Sequence, residues 1–204
     1  MRQVICVTGA MAAGKNAVSD ILEKHGFACT DADKLVHEAL ATPEVQARVL
    51  TEFGALARER GICLTREDGS LDRRALGALL FSDKALLGRH EAILHPEVDK
   101  RIDAFMAENA GKNIVINATV LYKTPSMKKC SAVLFVTAPL FVRFFRARRR
   151  DGMKTRHILA RFWQQRNLFA KYKKTDADIY RVSNTGSIQA LEEKTEAFLK
   201  RLDS

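Results

Sequence analysis

The sequence predicts an α/β protein, a parallel β-sheet flanked by helices, and three observations predict it. Short apolar, β-prone runs alternate with stretches of helical period, the pattern of strands joined by crossover helices. The first run stops at a glycine-rich loop that opens directly into a helical pattern. The composition, 47% hydrophobic and 28% charged over 204 residues, is that of a globule able to bury a core. Such a length excludes two independent full-sized domains, and the balance excludes a disordered or fibrous chain.

In chain order, Val4-Ile5-Cys6-Val7-Thr8 is the first strand, and Ala17, Val18, Ile21 and Leu22 mark the helix after Gly14. Phe27-Ala28-Cys29-Thr30 is a second strand ending at Asp31. Residues 34–110 are mainly helical and too long for one crossover helix, so they are expected to form an inserted helical region. Asn113 to Asn117 and Ala132 to Val136 are the third and fourth strands. The basic stretch from 140 to 172 is helical but broken at Asp151-Gly152, as in a helical hairpin that serves as a lid. Asn184-Thr185-Gly186-Ser187 is a turn, and Ile188, Leu191, Phe198 and Leu202 give the closing helix. Without repeats or linkers, 1–204 reads as a single domain in which the first and second strands are expected to be neighbours.

Gly9-Ala10-Met11-Ala12-Ala13-Gly14-Lys15-Asn16 fits G-x-x-x-x-G-K, with Asn where the motif has Ser or Thr. The plainer reading is a chance glycine turn beside a surface lysine; the place between a predicted strand and a helix favours the motif. The fold class is therefore a sheet like that of P-loop nucleoside triphosphate hydrolases. Backbone amides from Gly9 to Ala17 are expected to hold the phosphates of ATP, with Lys15 on the outer ones. Asn16 can coordinate Mg²⁺ through its amide oxygen, although on a longer side chain than serine. Asp31-Ala32-Asp33 ends a parallel strand, where such sheets place ligands. One reading makes Asp33 the general base with Asp31 as a metal ligand; the plainer reading makes either a helix cap.

The net charge of +10 gathers at Lys123 to Lys129, Arg143 to Arg150 and Lys171 to Lys174. Each run alone is a solvated helix face; beside a phosphate loop together they favour anion binding. No aromatic-interleaved basic strand or recognition helix is present, so nucleic acid is not expected as a partner. The short N-terminal apolar run and the lack of any spanning segment point to the cytoplasm and away from membranes. Cys6, Cys29, Cys63 and Cys130 lack metal or disulfide spacing and read as reduced, mostly buried thiols.

These residues resemble the dephospho-coenzyme A kinase family over nearly the whole chain. Thr30-Asp31-Ala32-Asp33 is similar to its Asp-Ala-Asp element, and Phe53-Gly54, Asp68-Gly69-Ser70-Leu71-Asp72-Arg73-Arg74-Ala75-Leu76 and Leu94-His95-Pro96 to its F-G, D-G-x-L-x-R-x-x-L and H-P signatures. Arg146, Arg150 and Asp151 resemble its lid, and Ala177-Asp178 with Asn184-Thr185-Gly186 its closing motif near the adenine. The resemblance implies ATP-dependent phosphorylation of the ribose 3′-hydroxyl of dephospho-coenzyme A, the last step of coenzyme A synthesis, in a nucleotide core, helical coenzyme-binding region and lid. It implies catalytic roles for Lys15, Asp33, Arg146 and Arg150, nucleotide contact at Asn184, and acceptor contacts at Asp31, Asp33, His95 and either Arg73 or Arg74.

The chain departs from the family at Asn16, at Thr119 and Lys123, which replace a proline and an acid, and in a slightly longer Arg58–Arg66 loop expected to be surface only. The first two leave open an impaired or non-catalytic nucleotide- or nucleic-acid-binding protein. Another small-molecule kinase would share the core but not explain the D-G-x-L-x-R and H-P spacing. His95 reads equally as a packed side chain, and Trp163, a lone aromatic on a helix, as core before base-stacking. The oligomeric state is not legible.

Overall fold

The computed structural model describes residues 2–81, 83–152 and 154–202, apart from the side chains of 81, 150 and 151. Its sheet has five strands, β1 (Val4–Gly9), β2 (Ala28–Asp31), β3 (Ile114–Asn117), β4 (Ala132–Thr137) and β5 (Asp178–Ser183), in the order β2-β3-β1-β4-β5. Every pairing is parallel. The helices are α1 (Lys15–Lys24), α2 (Ala32–Ala39), α3 (Pro43–Glu59), α4 (Arg73–Phe81), α5 (Lys84–Glu108), α6 (Leu140–Asp151), α7 (Thr155–Gln164), α8 (Leu168–Tyr172) and α9 (Ile188–Leu202).

The strand order follows from apolarity. β1 and β3 are buried at every position and take inner places, as strands covered on both faces must. β2 is only partly buried and lies at an edge. The first and second strands are therefore not neighbours as expected; β3 separates them, with Asn117 in register with Val7 on one side and Asp31 on the other. β5, at the opposite edge, was not expected at all, because its exposed Asp178 and Arg181 break any apolar run.

The chain divides into two compact units, residues 1–32 with 105–204, and residues 33–104. In the first, Ile5, Val7, Val115 and Leu134 of the sheet pack with Val18, Ile21 and Leu22 of α1 and Leu191 and Phe198 of α9. Each such buried side chain stabilises the fold by roughly 1.5–3 kcal/mol before entropy is counted. In the second, α2 to α5 have their own core around Val49, Phe53, Leu76, Leu79 and Leu94. Pro43 occupies the first turn of α3, where its missing N–H costs nothing. Asp72 caps α4 by accepting hydrogen bonds from the Arg74 and Ala75 amides at 2.8 and 3.0 Å. The Arg58–Arg66 loop is not wholly surface: Leu64 is buried in this core because Asp72 N–H donates to the Leu64 carbonyl at 2.7 Å and draws the loop against α4. Among the described residues no helix is long and apolar enough to cross a membrane.

Candidate active site

The loop between β1 and α1 owes its shape to three residues. Gly9 passes so close to β4 that a Cβ would strike the Val136 carbonyl. Gly14 has φ 101°, and a side chain there would collide with the Asn184 amide. Between them Ala12 holds φ 59°, the left-handed region, without being glycine. α1 starts at Lys15 with neither a side-chain cap nor an acidic residue in its first turn. The positive end of its dipole is thus left for an anionic ligand.

Helices α6 and α7 and the turn after β5 hold this loop by its backbone. Met11 N–H donates to Gln165 Oε1 at 2.7 Å, and Arg143 Nε donates to the Met11 carbonyl at 2.9 Å. The Arg143 guanidinium lies 4.3 Å from the Phe162 ring centroid, a cation–π contact, and its partial burial lowers its pKa. Arg146 donates to Asn184 Oδ1 at 3.3 Å and reaches the Ala13 carbonyl at 3.5 Å. Asn184 Nδ2 donates to the same carbonyl at 3.0 Å. Met11 also packs with Ala147 of α6 and Ile158 of α7.

What remains open beside the loop is a cleft of about 440 Å³ lined by Ala12, Gly14, Arg146 and Arg149. It joins backbone, a helix N-terminus and two guanidinium groups, a surface suited to a polyphosphate. A cleft of about 480 Å³ lies at the other end of the strands, by Gln3, His25, Asn113 and Glu196. That is the end where parallel sheets do not bind ligands, so its greater volume carries less weight than the chemistry of the first.

On the far side of the loop, Asn117 at the end of β3 donates through Nδ2 to Asn16 Oδ1 at 2.9 Å. Beyond it, Tyr172 of α8 pins the segment that follows β3. Its hydroxyl accepts from Leu121 N–H at 3.1 Å and donates to the Thr119 carbonyl at 3.3 Å. Lys123 closes the short 3-10 helix Leu121–Lys123 held there.

The structure thus brings Gly9, Ala10, Met11, Ala12, Ala13, Gly14, Lys15, Asn16, Ala17, Arg146 and Asn184 into one region of the sheet unit. Asp31 ends β2, two strands from β1, whereas Asp33 lies in α2 and belongs to the helical unit. Arg73 and Arg74 open α4, both exposed, so their geometry does not choose between them. His95 is half-buried within α5, one residue before Pro96. The side chain of Arg150 lies outside the described residues. Trp163 is not core: it is 67% exposed and Arg166 stacks on it at 3.8 Å, because α7 turns its other face to the loop through Ile158 and Phe162. Sequence reading missed Asn117, Arg143 and Gln165 as loop-contacting residues; only Arg143 had a signal, its place in the basic run.

A parallel sheet with a phosphate loop between its first strand and helix, gripped by arginine-bearing helices, defines a P-loop kinase. The family model described as dephospho-CoA kinase matches residues 3–189, and the chain belongs to that family. A dephospho-CoA kinase of Treponema pallidum is 37% identical over 97% of this chain and 94% of its own length. A crystal structure from Thermus thermophilus superposes with a TM-score of 0.79 at 29% identity, covering 98% of each chain. The dephospho-CoA kinase of Campylobacter jejuni, at 21% identity and a TM-score of 0.67 over 99% of this chain and 98% of its own, shares the fold.

Proposed function

We propose that this protein transfers the γ-phosphoryl group of ATP to the ribose 3′-hydroxyl of dephospho-coenzyme A, completing coenzyme A. The observation that carries the reading is the phosphate loop, held in shape by Arg143, Gln165, Arg146 and Asn184 beside an arginine-lined cleft, in a chain of the dephospho-CoA kinase family. Lys15 and the loop amides bind the outer phosphates and take up charge that builds on the transferring group. Arg146 and Arg150 act from the lid on the same charge. Asp33 accepts the acceptor hydroxyl proton, while Asp31, His95 and Arg73 or Arg74 orient the coenzyme. Asn184 contributes to the nucleotide site from the turn after β5. The basic surface serves these anionic small molecules and not nucleic acid, and the enzyme works in the cytoplasm.

Mg²⁺ fits the site only as a companion of the nucleotide. The hard oxygens at hand are a poor fit to an ion held by the protein itself: Asn16 Oδ1 already accepts from Asn117, and the Asp31 carboxylate lies one strand further out, in register with Asn117. Among the described residues no group of three or more His, Cys, Asp or Glu could hold a metal ion by itself. When bound, the ion neutralises charge on the phosphates.

The test is ADP release with dephospho-coenzyme A present and absent, with phosphorus NMR to locate the new phosphate. ADP formation dependent on the acceptor, with a 3′-phosphomonoester as product, is expected. Acceptor-independent hydrolysis, or no turnover, would remove the kinase reading.

A further inference from the structure

Asn16 and Asn117 are 101 residues apart in sequence, yet their side-chain amides are bonded at 2.9 Å. The two occupy telling places. Asn16 follows the loop lysine in the first turn of α1 and is exposed; Asn117 ends the strand next to β1 and is 4% exposed. P-loop enzymes commonly hold Mg²⁺ between a Ser or Thr hydroxyl at the first of these places and a strand-end carboxylate. Here a neutral amide stands at each, and each is the other's partner.

That exchange changes the electrostatics in a definite direction. A hydroxyl and a carboxylate would bring a net negative charge to a divalent cation, whereas two amides bring none. One lone pair of Asn16 Oδ1 is already engaged by Asn117 Nδ2. The bond also ties the first turn of α1 to β3, which fixes the loop from the side opposite α6 and α7. A single Asn at position 16 would be a weakened metal ligand; an Asn bonded to a buried Asn is a structural latch.

We propose that the Asn16–Asn117 pair replaces the protein's metal clamp with a neutral latch, so that nucleotide affinity depends little on the accompanying divalent cation. Asn117 is then a positioning residue, acting on the loop through Asn16. The proposal rests on the kinase reading for the identity of the nucleotide.

Calorimetric titration of the full chain with ADP, once with saturating Mg²⁺ and once with EDTA, reads the coupling without any turnover. The two dissociation constants are expected to agree within about threefold. Asn117→Asp, nearly isosteric, should raise the ratio at least about tenfold in favour of Mg²⁺, and Asn16→Ser with Asn117→Asp should raise it further. Asn117→Ala should weaken ADP binding by the same factor with and without the metal, because it loses position and not charge. Since Asn16 is exposed, Asn16→Ser keeps the comparison available should a change at buried Asn117 impair folding, and alone it too should raise the ratio. A parent ratio of about tenfold or more, or ratios that neither carboxylate nor hydroxyl moves, would overturn the proposal. Failure of acceptor-dependent ADP release would overturn the kinase reading alone, and a chain that binds no ADP would overturn both.

Discussion

Ala12 carries backbone strain inside the phosphate loop. Its φ of 59° places Cβ against the following carbonyl, at a cost of roughly 1–2 kcal/mol that glycine avoids, while glycine costs about 0.5–1 kcal/mol of chain entropy. Ala12→Gly should therefore raise the melting temperature modestly, by up to about 2–4 °C, in a thermal denaturation scan. A lower melting temperature would mean that the methyl group packs more usefully than its strain costs. If the proposed function holds, Lys15 brings charge to the outer phosphates, and Lys15→Ala should lower kcat/KM about 10²–10³-fold. Loss of one electrostatic donor to the transition state has that size, and a change of only a few-fold would return Lys15 to a surface role. The lysine was legible from its motif, because glycine spacing reports backbone shape directly. Ala12's conformation was not, since alanine is a residue the left-handed region disfavours.

Elements were legible in proportion to how local their cause is. β1, β3 and β4 are buried runs visible as apolar stretches, and α1 and α9 show their sheet-facing residues at helical spacing. β5 was hidden because an edge strand buries little: of its six residues only Val182 is buried. The place of β2 beyond β3 and the Asn16–Asn117 bond depend on which strands become neighbours, a choice made by long-range packing. The phosphate-loop motif was legible all the same, because it lies between β1 and α1, a place that the sheet positions whatever its strand order. α8 provides a test of such long-range support. Tyr172 is buried, and its hydroxyl serves both the Leu121 amide and the Thr119 carbonyl. Tyr172→Phe keeps the ring contacts with Tyr122 and Phe135 but strands that amide, so stability should fall by about 1–3 kcal/mol in a urea titration. An unchanged midpoint would show that water replaces the hydroxyl.

The four cysteines sample both units of the chain, and their environments differ enough to be read from outside. Sequence suggested mostly buried thiols; the structure buries Cys6 and Cys130, half-buries Cys29 and exposes Cys63. Burial pushes the Cys6 thiol well up, and drives Cys29 and Cys130 up to about 12, with Glu23 and Asp20 adding to the effect on Cys29. Cys63, in the helical unit, is lowered instead by hydrogen bonding with Thr65. The thiolate is the reactive species, so at pH 8 only Cys63 combines access with an ionised fraction. A disulfide reagent added to the native protein should label Cys63 at least about tenfold faster than the other three, which react once denaturant opens the sheet unit. Peptide mass spectrometry identifies the site. The sign of the accompanying pH effect follows from the same groups. Unfolded thiols ionise above the ordinary value of 9.0, while Cys29 and Cys130 stay protonated when folded to about 12. Their contribution is therefore whole below pH 9 and is lost as pH rises toward 12, which should lower the urea midpoint across that interval. Cys29→Ala with Cys130→Ala should flatten this part of the profile, and an equally steep decline in that variant would assign the alkaline loss to other groups. If Cys29 or Cys130 is labelled as fast as Cys63 at pH 8, the sheet unit opens more readily than its packing implies.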